Sequence, residues 1–123
     1  TAKLAHAGYD SSITVAAFKG AASKVGATAA TAGTKGAPTA TVVPTACNSL
    51  VWATGHDWTS AKDPKPAAGQ TIVHKFIDTR VGDSYWTQSV DAPTDKALTP
   101  VVVSVTGPLK DRWTYAAVEI PAA

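Results

Sequence analysis

The chain has 123 residues, with nine Gly, eight Pro, one Cys, no Met and a formal net charge of +2. That length buries one core but not two, and a 45% hydrophobic content with so little net charge excludes wholesale disorder. No apolar run approaches the roughly 18 residues of a membrane-spanning helix, and the eleven cations are scattered, which does not indicate nucleic acid as a partner.

In chain order, helix is set aside first. The only Ala-rich candidate, 16–32, contains Gly20, Gly26 and several β-branched residues that weaken a helix, leaving room for one short turn near 21–25. Strand signals are better. Residues 12–18 (SITVAAF) alternate and end at Lys19-Gly20. Residues 20–38 form a flexible or edge connection of Ala, Thr, Gly and Lys, with a weak strand at 27–30 as an option. Further runs follow at 39–43 (TATVV), 49–54 (SLVWAT), 71–78 (TIVHKFID), 84–90 (SYWTQSV), 100–106 (PVVVSVT) and 112–120 (RWTYAAVEI). Each is short, rich in β-branched and aromatic residues, and bordered by Gly or Pro. Between the third and fourth runs lies a long loop, 55–70, holding His56, Asp57, Trp58 and Asp63; loops of that length in a compact domain are often functional.

These runs predict a single all-β domain over 1–123, an antiparallel β-sandwich or jelly roll of about seven to eight strands. A parallel sheet would need crossover helices that the chain does not offer. Seven strands fall one short of the usual jelly roll, with the first beginning near Tyr9. A missing N-terminal element would come from an upstream segment or from another subunit, since an exposed sheet edge pairs readily with a foreign strand. Period-two alternation puts Ile72, His74 and Phe76 on one side of their strand. In the last strand it makes Ala116, Val118 and Ile120 the core side, leaving Trp113, Tyr115 and Glu119 at least half solvated. Cys47 cannot form an internal disulfide and reads as a small buried hydrophobe. The chain opens at Thr1 without a charged-then-apolar signal segment, so the expectation is a removed leader or one piece of a longer polypeptide.

Three blocks carry a resemblance: 8–21 (GYDSSITVAAFKGA), 49–58 (SLVWATGHDW) with 73–86 (VHKFIDTRVGDSYW), and 111–120 (DRWTYAAVEI). Together they resemble a β-sandwich accessory module of large secreted, multidomain actinobacterial proteins, where such modules sit beside fibronectin-like and carbohydrate-active domains. The modules are longer, with strands before the first block, so the resemblance implies the C-terminal part of one. It implies an extracellular location and carries no catalytic residues.

Four Trp and three Tyr in so small a chain point to sugar binding, because flat rings stack on the C–H faces of pyranoses while Asp, Asn or His fix the hydroxyls. The candidates are Trp58, His56, Asp57, Trp86, Tyr85 and Trp113; the competing reading is that strand aromatics are core. Tyr85 and Trp86 point to opposite faces, so only one of them can meet a given ligand. His56 with Asp57 and His74 with Asp78 have no spacing that specifies a metal site. A calcium ion in a loop would use Asp57, Asp63, Asp78 and Asp83 with backbone carbonyls, so the expectation is no cofactor, with calcium as the one option. The single Glu, the absence of a Gly-x-Ser-x-Gly elbow and the absence of a phosphate loop argue against an enzyme. A Lys–Asn cross-link through Asn48 and Glu119 is a remoter option. The leading expectation is a non-catalytic extracellular module that binds a polysaccharide or cell-surface glycan through exposed aromatics. The alternative is a structural subunit of an extracellular filament, phage particle or surface layer, self-associating by strand complementation.

Overall fold

The computed structural model describes residues 3, 5, 8 and 12–123. Among them there is no helix, and seven strands form: β1 (Thr28–Gly33), β2 (Thr39–Val42), β3 (Leu50–Asp57), β4 (Gln70–Asp78), β5 (Asp83–Val90), β6 (Val101–Ser104) and β7 (Trp113–Ile120). A five-stranded sheet runs β1-β7-β3-β5-β4, a two-stranded sheet pairs β2 with β6, and every pairing is antiparallel. The inner face of the large sheet packs on the small one. Ala40, Val42, Val103 and Val105 meet Val51, Ala53, Trp86, Tyr115 and Ala117 in one core.

Six of the expected runs are strands, but 12–18 is not. It is extended and makes no ladder, and Ile13 and Val15 remain 64% and 83% exposed. Tyr9, where that run was expected to start, lies outside the described residues. The seventh strand is β1, overlapping the weak strand that was an option at 27–30; four of its six residues are Ala or Gly, which are depleted in strands. β7 templates it: the pairing runs from Thr28 opposite Val118 to Gly33 opposite Trp113 without interruption. Before it, Gly26 and Ala27 together oppose Glu119, a β-bulge in which the Gly26 N–H donates to the Glu119 carbonyl and the Glu119 N–H donates to the Ala27 carbonyl.

The long loop is also shorter than expected. Gly55, His56 and Asp57 belong to β3, paired with β5 on one side and β7 on the other. Gly55 sits there for close approach. A Cβ on it would lie 2.1 Å from Cζ2 of Trp86, so the indole lies flat across this residue. The remaining segment, 58–69, extends the second layer. Pro66 bridges Val105, the Ala67 N–H donates to the Ser104 carbonyl, and the Ser84 hydroxyl donates to the Lys62 carbonyl.

The faces of β7 are the reverse of the sequence expectation. Trp113, Tyr115, Ala117 and Glu119 are buried, while Thr114 and Ala116 are exposed and Val118 and Ile120 half-buried. Each inward polar atom has a partner. Trp113 Nε1 donates to the Gly36 carbonyl, and the Tyr115 hydroxyl donates to Gln88 Oε1 at 2.7 Å. Glu119 accepts from the N–H groups of Ala27, Thr45 and Ala46 and from the hydroxyls of Thr45 and Ser49. Burial alone would raise the Glu119 pKa, but these donors outweigh it and hold it at about 2. No Lys is among these partners, and Asn48 is a turn residue at φ 55, which leaves the cross-link option without its geometry. Cys47 is exposed, not buried.

Candidate functional site

Among the described residues no second sheet covers the outer face of the five-stranded sheet, and that face collects the outward aromatics. The register builds one row across all five strands. Ala32 pairs Thr114, Thr114 pairs His56, His56 pairs Tyr85 and Tyr85 pairs Phe76. Directly opposed residues share a face at about 4.5–5.5 Å, so the last three rings form a file. His56 and Tyr85 stack at 4.3 Å between centroids and 8° between planes, and Tyr85 and Phe76 lie 6.2 Å apart at 22°. Trp58, two residues beyond His56, tilts 48° against it at 5.3 Å.

Two hollows flank this file, and the Tyr85 ring borders both. One, about 540 Å³, is lined by Trp52, Thr54, His74, Phe76, Tyr85 and Thr87, with Ser12 and Thr14 at its rim. Residues 12–18 cross above it, tied down by Thr14 Oγ1 against His74 Nδ1 at 3.1 Å and by Phe18 edge-on to Trp52 at 5.2 Å. The other, about 500 Å³, has a floor of Ala30, Ala32, Thr54, Thr114 and Ala116 and a wall of His56 and Tyr85. Both fall within the roughly 300–1,000 Å³ of small-molecule sites. Trp58 is 40% exposed and Tyr85 36%.

Charge enters at one end of the file. Asp83 Oδ2 accepts from the Tyr85 hydroxyl at 3.0 Å and lies 3.6 Å from His56 Nε2. Burial first, then the hydrogen bond and charge of Asp83, raise the pKa of Tyr85. The phenol is therefore a neutral hydroxyl at physiological pH, already oriented by a carboxylate.

The structure divides the expected site residues between the two faces. His56, Trp58 and Tyr85 come together on the outer face. Asp57 turns inward and is wholly buried. Its Oδ1 accepts the Thr59 N–H at 2.9 Å, and its Oδ2 receives no donor among the described residues. Burial, reinforced by the neighbouring carboxylate of Asp111, raises the Asp57 pKa. The Ser60 hydroxyl, and after it Lys62, lowers that of Asp111. The two carboxyls sit near one another at the base of the Trp58 segment, their pKa values pushed in opposite directions. Trp86 and Trp113 are core residues at 2% and 6% exposure and present no ring to a ligand.

The calcium option loses its cluster. Asp63 pairs with Lys65 and Lys75, Asp78 caps its own turn through the N–H groups of Arg80 and Val81, and Asp83 serves Tyr85 and His56. Among the described residues no group of three or more His, Cys, Asp or Glu side chains is placed to hold a metal ion. His74 and Asp78 also part, His74 facing Thr14 across the first hollow.

Phe76 was missed as a site residue because the candidate rings were drawn from Trp and Tyr, and its alignment with Tyr85 is set by the strand register. Ile72 pairs Gln88 and His74 pairs Thr87, so Val73 is the extra residue. Ile72 therefore faces inward while His74 and Phe76 face outward, correcting the expectation that all three share a side. Only the β4–β5 register reveals this.

No family model, curated protein or solved structure matches the chain.

Proposed function

We propose that the protein is a non-catalytic, extracellular module that binds a polysaccharide or cell-surface glycan on the outer face of its five-stranded sheet. The single observation behind this reading is the His56–Tyr85–Phe76 file, with Trp58 at its end. It is a ridge of rings on an open sheet face, with a hollow on either side. A pyranose laid across the ridge would set its C–H groups against the half-exposed Trp58 ring and the outer edge of Tyr85. Its hydroxyls would reach Thr54, His74 and Thr87 in one hollow or Thr54 and Thr114 in the other. Rings give large contact area at low conformational cost, and the Tyr85–Asp83 hydrogen bond fixes a polar edge beside them. The likeness of the three sequence blocks to an accessory module of secreted actinobacterial proteins supports the same reading and its location.

The test is titration of the protein with soluble polysaccharides, read by isothermal calorimetry and by Trp fluorescence. At least one neutral polysaccharide should bind the parent. Tyr85→Ala and Trp58→Ala should each weaken it by about tenfold or more, the loss of roughly 1.4 kcal/mol. Absence of binding to every polysaccharide, or a Tyr85→Ala variant that binds like the parent, overturns the reading.

A further inference from the structure

We infer that the open edge of β1 is a docking site for β1 of a second copy of this chain, joined antiparallel across a two-fold axis at Ala30. This inference is independent of the glycan reading. The Glu119 N–H bonds the Ala27 carbonyl, and hydrogen-bonding direction alternates along an antiparallel strand. Ala29, Thr31 and Gly33 therefore face β7, and the N–H and C=O groups of Thr28, Ala30 and Ala32 face outward, where β1 has no strand neighbour among the described residues.

The remaining edges are guarded. β4 carries a bulge at Val73 and Lys75 paired to Asp63 at 2.5 Å, devices that discourage strand addition. β6 is covered by the Pro66–Val105 bridge, by Ala67 on Ser104 and by Gln70 Nε2 on the Val102 carbonyl. On β2, the Thr31 hydroxyl occupies the Thr39 carbonyl. β1 is the longest of these edges that is unbroken, free of Pro and uncharged, six residues against four in β2 and four in β6.

Self-pairing is the occupant that this pattern admits. Two outward sets match when Ala30 faces Ala30 and Thr28 faces Ala32 of the second copy. Each such pair exchanges two backbone hydrogen bonds, and all these side chains are small. The contact is isologous and closes as a dimer. It joins the two sheets into one, and the hollow floored by Ala30 and Ala32 reaches the junction. Residues 12–18 are the competing donor, but Thr14 and Phe18 hold them across the outer face.

The experiment is analytical ultracentrifugation over a concentration series. The parent should shift from monomer to dimer. Ala30→Pro removes an N–H that β7 does not use, so it should leave near-UV circular dichroism unchanged and abolish the dimer. Because that variant could still misfold, a charge pair gives a second arm. Thr28→Lys/Ala32→Lys and Thr28→Glu/Ala32→Glu should each be monomeric alone and form a one-to-one dimer when mixed. In a Cys47→Ser background, Ala30→Cys should cross-link as a disulfide dimer. A parent that stays monomeric throughout overturns the inference, as does a dimer indifferent to these changes. So does a dimer abolished by Val15→Lys, which would identify 12–18 as the strand that docks.

Discussion

The two faces of the five-stranded sheet bury aromatics and polar groups under different rules. On the inner face every ring is enclosed. Trp86 lies on Gly55, and Trp113 and Tyr115 each spend their polar atom on a backbone or amide partner. Even a carboxylate is held there, because five donors converge on Glu119. On the outer face the rings of His56, Tyr85 and Phe76 stack on one another along the register but leave their outer edges to solvent. The lesson is that ring content alone does not locate a ligand surface. What separates the faces is whether a ring's remaining surface is filled by protein or left open.

That contrast can be broken at the inner face first. Trp86→Ala should cost about 3–5 kcal/mol, the range for emptying a large buried ring site, seen as a lower urea midpoint. Glu119→Ala should cost at least about 3 kcal/mol at neutral pH, since several buried donors lose their acceptor at ~1–3 kcal/mol each. Its pH dependence has a definite sign. The folded pKa lies below the ordinary 4.5, at about 2, so the stabilisation is complete above 4.5 and drains as pH falls toward 2. Urea midpoints collected across that window should fall for the parent and stay flatter for Glu119→Gln, which starts lower.

Asp57 runs the opposite way. Its raised pKa favours the protonated form in the fold, so its contribution is present in acid and is lost as pH rises through the folded value. Asp57→Asn, which cannot ionise in its buried position, should therefore gain on the parent as pH rises, by on the order of 1 kcal/mol. A stability difference between variant and parent that does not change with pH would contradict the raised pKa of Asp57. The smallest effects belong to the outer face. Trp58→Ala and Tyr85→Ala should change stability by no more than about 1 kcal/mol, because these rings are already partly solvated. Their cost should appear in ligand binding. Either variant unfolding at the midpoint shift of Trp86→Ala would erase the distinction between the faces.

The strand positions were readable from local patterning because Gly and Pro punctuate the chain. β3 through β7 fall close to where alternation and breakers placed them. The outer-face site was partly readable: His56, Trp58 and Tyr85 were named, Phe76 was not, and Trp86 and Trp113 were assigned to it from ring content alone. β7 shows why. Hydropathy favours Ala116, Val118 and Ile120 as its core side, yet Trp113, Tyr115 and Glu119 are inside. In β7 the indole, the phenol and the carboxylate are each buried with a partner for the polar atom, and those partners come from Gly36, Gln88 and residues 27–49, distant in sequence.

By itself, then, the chain determined that it would form short antiparallel strands and roughly where each begins and ends, because propensity and breakers act over a few residues. Only the tertiary structure decided which side of each strand is inside, that 28–33 forms an edge strand while 12–18 does not, and that three rings align across β3, β5 and β4. Those outcomes rest on register and on a single extra residue at Val73. A one-residue shift exchanges the two faces of a strand, and nothing local to the strand records it.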